Sequence, residues 1–128
     1  MRINRQGQTR MVIELKGLVI KIPHLFRNWP TFVRGLLSNI DEHQTWAFNS
    51  GKHEKGKSHL LCPILWASWG GWIVIMKRAD RVLSHDEYWG LSQEVLKEHE
   101  YFKGDDQGPN YGYLNGRLVK IDYALINY

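Results

Sequence analysis

The sequence predicts an α+β domain built from an antiparallel sheet, one long helix and a smaller C-terminal part. Short apolar runs of strand length, such as residues 17–23 and 72–76, lie beside glycine-containing turns. Residues 31–48 instead repeat their apolar side chains at helical spacing. Because 128 residues is the size of one domain, we expect residues 1–128 to fold as a single unit.

The strand at residues 17–23 carries Lys21 within an otherwise apolar run. An ammonium group buried without a partner is costly, so we expect this lysine to contact an anion. The alternative is that the strand lies at the edge of the sheet, where lysine commonly faces solvent.

The helix predicted over residues 31–48 supplies a candidate for that anion. Its periodic apolar residues are Phe32, Val33, Leu36, Leu37 and Ile40, followed less regularly by Trp46 and Phe48. Glu42 lies in the same segment, and we predict that its carboxylate pairs with Lys21. The alternative is that Glu42 is an ordinary surface residue of the helix.

A hairpin and a second helix follow a polar, basic loop at residues 49–58. The apolar runs at residues 59–66 and 72–76 flank Gly70-Gly71, which is a turn signal between two strands. Ser84 is expected to begin the second helix, because Glu87 stands three residues later and completes a capping box. The apolar stripe that follows predicts that this helix continues to about residue 102.

The C-terminal quarter contains a polar loop at residues 104–110, a tight turn and an apolar strand that ends at Asp122. Asp105, Asn110 and Asp122 carry oxygen atoms, which are the ligands that Mg²⁺ prefers. If the loop and the strand end meet, these three residues predict one metal–phosphate site. The alternative is a surface loop, because glycine, aspartate, asparagine and proline all favour turns.

Taken in order, these elements resemble the protein kinases. The resemblance rests on four features: a strand with a lysine, a helix with glycine, asparagine and glutamate, an Asp-to-Asn loop, and a final strand that ends in aspartate. The residues that match these features are, in order, Val19-Ile20-Lys21, then Gly35, Asn39 and Glu42, then Asp105 and Asn110, then Gly116, Arg117, Val119, Asp122 and Tyr123. The chain is most similar to the small kinase-like proteins of bacteriophages and bacteria. The resemblance implies a reduced kinase-like fold, with an N-lobe-like sheet and helix at residues 11–80. Residues 81–128 would form a truncated C-lobe-like part with the loop and a terminal hairpin.

The resemblance also implies roles for individual residues. Lys21 would hold the nucleotide phosphates, Glu42 would hold Lys21, and Asp105 would accept the proton of the attacking hydroxyl. Asn110 and Asp122 would bind Mg²⁺. Residues 77–79 would form the hinge that holds the adenine, and the resemblance implies that Met76 and Arg78 contact the nucleotide there. The implied cofactors are therefore ATP and Mg²⁺.

The sequence departs from the kinase pattern where the phosphates would be covered. Residues 5–10 contain one glycine, whereas a backbone that approaches phosphate closely needs glycines or a helix N-terminus. Lys103-Gly104 stands where kinases have a His-Arg pair, and Ala124 stands where they have glycine. Because four residues follow Ala124, we expect a fold reduced to the nucleotide site, without a lobe for protein substrates.

The composition limits the partners. The net charge of +4 suits contact with nucleotide phosphate or an acidic protein, and the absence of a nucleic-acid-binding signature argues against DNA or RNA.

Four of the six tryptophans are expected in the core, while Trp69 and Trp72 flank the Gly-Gly turn and are expected to be partly exposed at an interface. Cys62, the only cysteine, is expected to be buried and inert. No run is long enough for a signal peptide or a membrane span, so we expect the cytoplasm, that of the host if the protein comes from a phage.

Three functions stay open from the sequence. The first is a kinase-like protein with degenerate or absent phosphotransfer that binds and inhibits a host protein. The second is an active, minimal kinase that depends on Mg²⁺ and ATP. The third is a basic α+β domain that binds an acidic partner. Self-association into a homodimer is a further expectation, because a truncated lobe would expose apolar surface.

Overall fold

The structure is a computed structural model that describes residues 2–4, 10–25, 27–50, 58–92, 94, 110–121 and 123. Within these residues the strands and helices, in chain order, are β1 Arg2–Asn4, β2 Arg10–Leu15, β3 Leu18–Pro23, α1 Trp29–Ser50, β4 Ile64–Ala67, β5 Val74–Lys77, β6 Arg81–Val82, α2 His85–Trp89, β7 Tyr111–Leu114 and β8 Arg117–Lys120. Short 3-10 turns at Ser58–Leu60 and Trp69–Gly71 precede and follow β4. The predicted α+β class with an antiparallel sheet and one main helix is confirmed.

The strands form two antiparallel sheets. The larger sheet has the order β1-β2-β3-β5-β4, and the smaller one has the order β6-β7-β8. Strand β3 lies between β2 and β5, with Lys21 opposite Val12 on one side and Val74 on the other. The alternative in which Lys21 occupies an edge strand is therefore wrong.

Helix α1 covers one face of the larger sheet. It begins after Asn28, whose side-chain oxygen accepts a hydrogen bond from the Thr31 N–H at 2.9 Å and so caps the first turn. Pro30 in that turn removes no helical hydrogen bond, because the first N–H groups of a helix have no partner inside it. The helix predicted over residues 31–48 is confirmed with slightly wider bounds.

Two tight connections set the register of the strands. The β4–β5 hairpin predicted at Gly70-Gly71 is present, and both glycines have positive φ angles. Strands β7 and β8 are joined by Asn115 and Gly116, with φ angles of 53° and 77°. Two positive φ angles match a type I′ turn, whose twist suits a two-residue hairpin.

The second helix is shorter than the sequence predicts. Its start is confirmed, because Ser84 accepts from the Glu87 N–H and Glu87 bonds back to the Ser84 N–H. It ends at Trp89, and residues 90–92 do not continue it, so the prediction of an unbroken helix to residue 102 is wrong. Gly90 forms the C-terminal cap, as expected for a residue with poor helix propensity. Residues 93 and 95–102 lie outside the described part of the chain.

The core connects the two sheets. The main apolar cluster lies beside the larger sheet and contains Leu60, Leu61, Ile64, Val74, Met76 and Tyr123. Residue Leu61 forms a parallel bridge with Lys120 of β8, and the Cys62 N–H donates to the Lys120 carbonyl at 2.9 Å. Among the described residues, no helix combines the length and the apolar composition needed to cross a bilayer.

Candidate functional site

Lys21 lies on the helix-covered face of β3, near the middle of the larger sheet. Only 5% of its surface is exposed. Its ammonium group donates to Glu42 Oε1 at 2.6 Å and to the backbone oxygen of Ile121 at 2.7 Å. Because a buried ammonium is stable only when paired and hydrogen-bonded, these two acceptors explain how the lysine is accommodated in the interior.

Glu42 lies on the face of α1 that meets the sheet and has no exposed surface. Its second oxygen, Oε2, accepts from the Arg10 guanidinium at 3.2 Å and from the Tyr123 N–H at 3.2 Å. The predicted contact between Glu42 and Lys21 is thus present, and the alternative of a surface glutamate is wrong. The carboxylate is held by two cations and one backbone donor.

Asn39, one helical turn before Glu42, completes this buried group. Its side-chain oxygen accepts from Arg10 at 3.0 Å, and its amide nitrogen donates to the carbonyls of Lys21 and Gly71 at 3.2 and 2.8 Å. We call Arg10, Lys21, Asn39 and Glu42 the polar cluster. It joins α1 to β2, to β3 and to the turn before β5.

Arg10 is not among the predicted site residues, and Asn39 enters the prediction only through the kinase resemblance. Two sequence signals point to them. Arg10 opens an apolar strand, where a charged side chain requires a partner if it is buried, and Asn39 stands three residues before Glu42, on the same face of the helix. Neither signal specifies which residues meet, because the contacts join residues 29 and 32 positions apart.

Of the predicted metal-site residues, Asn110 is described, while Asp105 and Asp122 lie outside the described residues. The Asn110 carbonyl accepts from the Ile121 N–H at 2.8 Å. Ile121 and Tyr123, the neighbours of position 122, contact Lys21 and Glu42 respectively. Asn110 is therefore linked through Ile121 to the polar cluster. Within the described residues, no group of three His, Cys, Asp or Glu side chains is placed to hold a metal ion.

Met76 and Arg78, the predicted nucleotide contacts, lie at the end of β5. Met76 is buried in the main apolar cluster. The Arg78 N–H donates to the Gly17 carbonyl at 3.0 Å, and its side chain forms an ion pair with Glu14 at 3.6 Å. The Lys77 N–H likewise donates to the Pro63 carbonyl at 2.8 Å. Two backbone donors of the predicted hinge are therefore already used within the protein, and the contacts of Met76 and Arg78 with a nucleotide stay predictions.

Cys62 lies beside the same strand and has no exposed surface. Its thiol donates to the Lys77 carbonyl at 2.8 Å. Burial away from water raises the pKa of the Cys62 thiol to about 11, so the reactive thiolate is scarce near neutral pH. Cys62 is thus suited to packing and not to nucleophilic chemistry.

The tryptophans correct the expectation of an aromatic core. Trp46 is the only one of the six that packs partly buried against the main cluster, whereas the others expose about half of their surface or more: Trp29 73%, Trp66 53%, Trp69 93%, Trp72 48% and Trp89 77%. The core placement expected for Trp29, Trp66 and Trp89 is therefore wrong. The exposure expected for Trp69 and Trp72 is confirmed.

Two of the exposed rings, those of Trp29 and Trp72, contact Phe32 near the start of α1. Trp29 lies 5.5 Å from Phe32, and Phe32 lies 5.3 Å from Trp72, measured between ring centroids. Trp69 lies on the turn just before Trp72. We call Trp29, Phe32, Trp69 and Trp72 the aromatic tip. Tryptophan and other aromatic residues are enriched at the centres of protein interfaces, so a tip of this kind is suited to binding another protein.

Comparison of the chain with protein-family models and with curated protein sequences gives no match.

Proposed function

We propose that this chain is a kinase-like protein of the small bacteriophage or bacterial type that binds and inhibits a host protein, with degenerate or absent phosphotransfer. The observation that carries the proposal is the aromatic tip. Large aromatic side chains are normally well buried, yet Trp29 and Trp69 expose 73% and 93% of their surface. Burying such side chains against a partner is a strong source of binding energy.

The arrangement of elements supports the kinase-like scaffold. Helix α1 connects the third and fourth strands of an antiparallel five-stranded sheet, and the ion pair joins a lysine of the third strand to a glutamate of that helix. Protein kinases hold the same pair of residue types on a strand and a helix.

The surroundings of Lys21 support weak or absent phosphotransfer. Its ammonium group is enclosed by acceptors of the protein itself, and Arg10 binds the second oxygen of Glu42. A phosphate reaching Lys21 would have to compete with a paired carboxylate and a carbonyl in a nearly dry interior. Kinases keep their lysine–glutamate pair while they bind phosphate, so the contact that disfavours such a ligand here is the Ile121 carbonyl, which takes a second of the three donors of this ammonium.

The binding test uses the full chain as bait in a bacterial lysate, followed by identification of the captured protein and direct measurement with the purified partner. We expect Trp29→Ala and Trp69→Ala each to weaken the affinity by at least about tenfold, as for central interface aromatics. Trp89→Ala is the matched control, because this ring is 77% exposed on the separate helix α2. Equal affinities for all four proteins would refute a role for the aromatic tip.

The alternative function is an active, minimal kinase that uses Mg²⁺ and ATP. It is favoured by the Lys21–Glu42 pair and by the contacts of Ile121 and Tyr123 with that pair on either side of position 122. A ligand that binds only the folded protein raises its melting temperature. A thermal shift with millimolar ATP and Mg²⁺ that is lost in Lys21→Met, together with ATP turnover that is lost in Asp122→Ala, would establish this function. If neither the thermal shift nor ATP turnover is observed, the proposed binding function is the one that remains.

A further inference from the structure

The two faces of the larger sheet carry different chemistry. On the face beneath α1, β2 and β3 place Arg10, Glu14 and Lys21 beside the buried Val74 and Met76 of β5. The opposite face carries an apolar set from four neighbouring strands, which we call the outer sheet face: Met11, Ile13, Ile20, Ile22, Trp66 and Ile75. Each of these six side chains keeps part of its surface exposed.

This distribution of charged and apolar residues is the reverse of that in an antiparallel sheet with one solvated face. Such sheets place apolar residues on the covered face and polar residues on the solvated one. Here Arg10, Glu14 and Lys21 lie on the helix-covered face, while the opposite face carries one charge from β2 to β5, that of Lys77 at the end of β5. Continuous apolar strands are typical of sheets covered on both faces. The described part of the chain places its long helix on the other face.

We propose that a second copy of this chain covers the outer sheet face, so that two sheets pack face to face in a symmetric dimer. A twofold interface must be complementary to itself. An apolar surface with no charge at its centre meets that condition, since two copies oppose each other there without bringing like charges together or burying an unpaired one. The exposed Lys77 lies opposite Leu18 at one end of β5, so it remains at the rim.

The geometry fixes the expected centre and size of the contact. Ile13 and Ile20 are direct cross-strand partners near the middle of the face, and Ile75 is the partner of Ile20 on its other side. Two strands of six residues and two of four, at the usual rise and strand spacing, give a face of roughly 300 Å². Specific interfaces bury about 800 Å² on each partner, so this one, with its rim, lies at the small end. We therefore expect a reversible dimer with a dissociation constant on the order of 10–100 µM.

Sedimentation equilibrium of the full chain between about 5 and 500 µM tests the proposal. We expect the wild-type protein to pass from monomer to dimer and Ile20→Glu to stay monomeric, because a charge at the centre of the contact would be buried without a partner. The control is Val82→Glu, a substitution of the same kind at a side chain of β6 that is 47% exposed. It should dimerise like the wild type. Circular dichroism must show an unchanged melting temperature for Ile20→Glu.

A single introduced cysteine gives a second readout that does not depend on a buried charge. Because Cys62 is buried and hydrogen-bonded, Ile20→Cys supplies the one accessible thiol among the described residues. Because packed sheets lie about 10 Å apart, which is too far for a direct disulfide, a short bismaleimide reagent should link Ile20→Cys into a covalent dimer, whereas Val82→Cys should remain monomeric. A wild-type protein that is monomeric at 500 µM, or equal cross-linking of the two cysteine variants, overturns the proposal. Loss of partner binding in the variants of the aromatic tip would not affect these outcomes.

Discussion

The polar cluster depends on a single carboxylate. Among its described members Glu42 is the one anion, and it accepts from Arg10, Lys21 and the backbone of Tyr123. The two cations can remain buried because this acid neutralises charge between them. Removing the acid therefore has a larger consequence than removing either base.

We predict that Glu42→Gln lowers the free energy of unfolding by about 3–5 kcal/mol, the usual cost of removing one partner from a buried ion pair. Lys21→Met should cost less, because Glu42 keeps Arg10 and the Tyr123 N–H as donors. Urea denaturation of the two variants measures the difference.

Glu14→Gln is the control for this prediction. Glu14 also pairs with an arginine, but the Arg78 side chain is 44% exposed, and exposed ion pairs contribute about 1 kcal/mol or less. Equal losses for Glu42→Gln and Glu14→Gln would contradict the view that the polar cluster holds α1 on the sheet.

At the level of the elements, the residues that helix α1 buries against the sheet are not the ones that its apolar repeat predicts. The residues buried against the sheet include Gly35, Ser38, Asn39 and Glu42, whereas the periodic apolar residues from Phe32 to Ile40 are only partly buried. Burial of small and hydrogen-bonded side chains lets the helix approach the sheet and the β4–β5 turn closely.

Gly71 marks the closest part of that approach. A Cβ atom at this position would lie 2.3 Å from the Leu36 carbonyl oxygen and 2.8 Å from the Ile40 side chain, and its φ angle is +79°. We predict that Gly71→Ala costs about 1–2 kcal/mol in backbone strain and roughly another 1–3 kcal/mol in overpacking.

Gly17→Ala separates these two contributions. Gly17 has the same φ angle, but a Cβ there meets no atom within 4 Å, so we expect only the cost of strain. Thermal melting of both variants provides the comparison. If Gly17→Ala were as destabilising as Gly71→Ala, the contact between the turn and α1 would not contribute to stability.

At the scale of the whole molecule, the end of β8 and the residues after it connect the smaller sheet to the larger one through hydrogen bonds. Lys120 bonds to Cys62, Ile121 accepts from Lys21, and Tyr123 bonds to both Glu42 and the Cys62 carbonyl. The Tyr123 ring lies in the main apolar cluster with no exposed surface. The two sheets are therefore expected to unfold together.

We predict that Tyr123→Ala destabilises the protein by about 3–5 kcal/mol, as for other large aromatic deletions in a core. Circular dichroism and tryptophan fluorescence should report one shared transition in urea for both the wild type and the variant. Tyr113→Ala, at a half-buried position of the smaller sheet, should cost markedly less. Two separate transitions in the wild type would show that the sheets are independent.

Local patterns in the sequence were sufficient for much of the fold. The helical spacing of residues 31–48, the Gly-Gly turn and the Ser84 capping box each act within a few residues, and all three are present. Residues 90–92 interrupt the predicted second helix, because an apolar stripe does not reveal where a helix ends, whereas Glu94 is again helical. The core assignments of Trp29, Trp66 and Trp89 failed because hydrophobicity alone cannot distinguish a core residue from an exposed one.

The residues alone indicate that Lys21 needs an anion, since a lysine inside an apolar strand is costly without one. They also offer Glu42 as the partner. The packed fold adds that Arg10 and Asn39 join that pair, that Trp29 and Trp69 face outward, and that Arg10, Glu14 and Lys21 lie on the covered face of the sheet. Distance along the chain explains this difference: turns and caps depend on neighbouring residues, whereas these contacts join segments that meet only when helix and sheet pack.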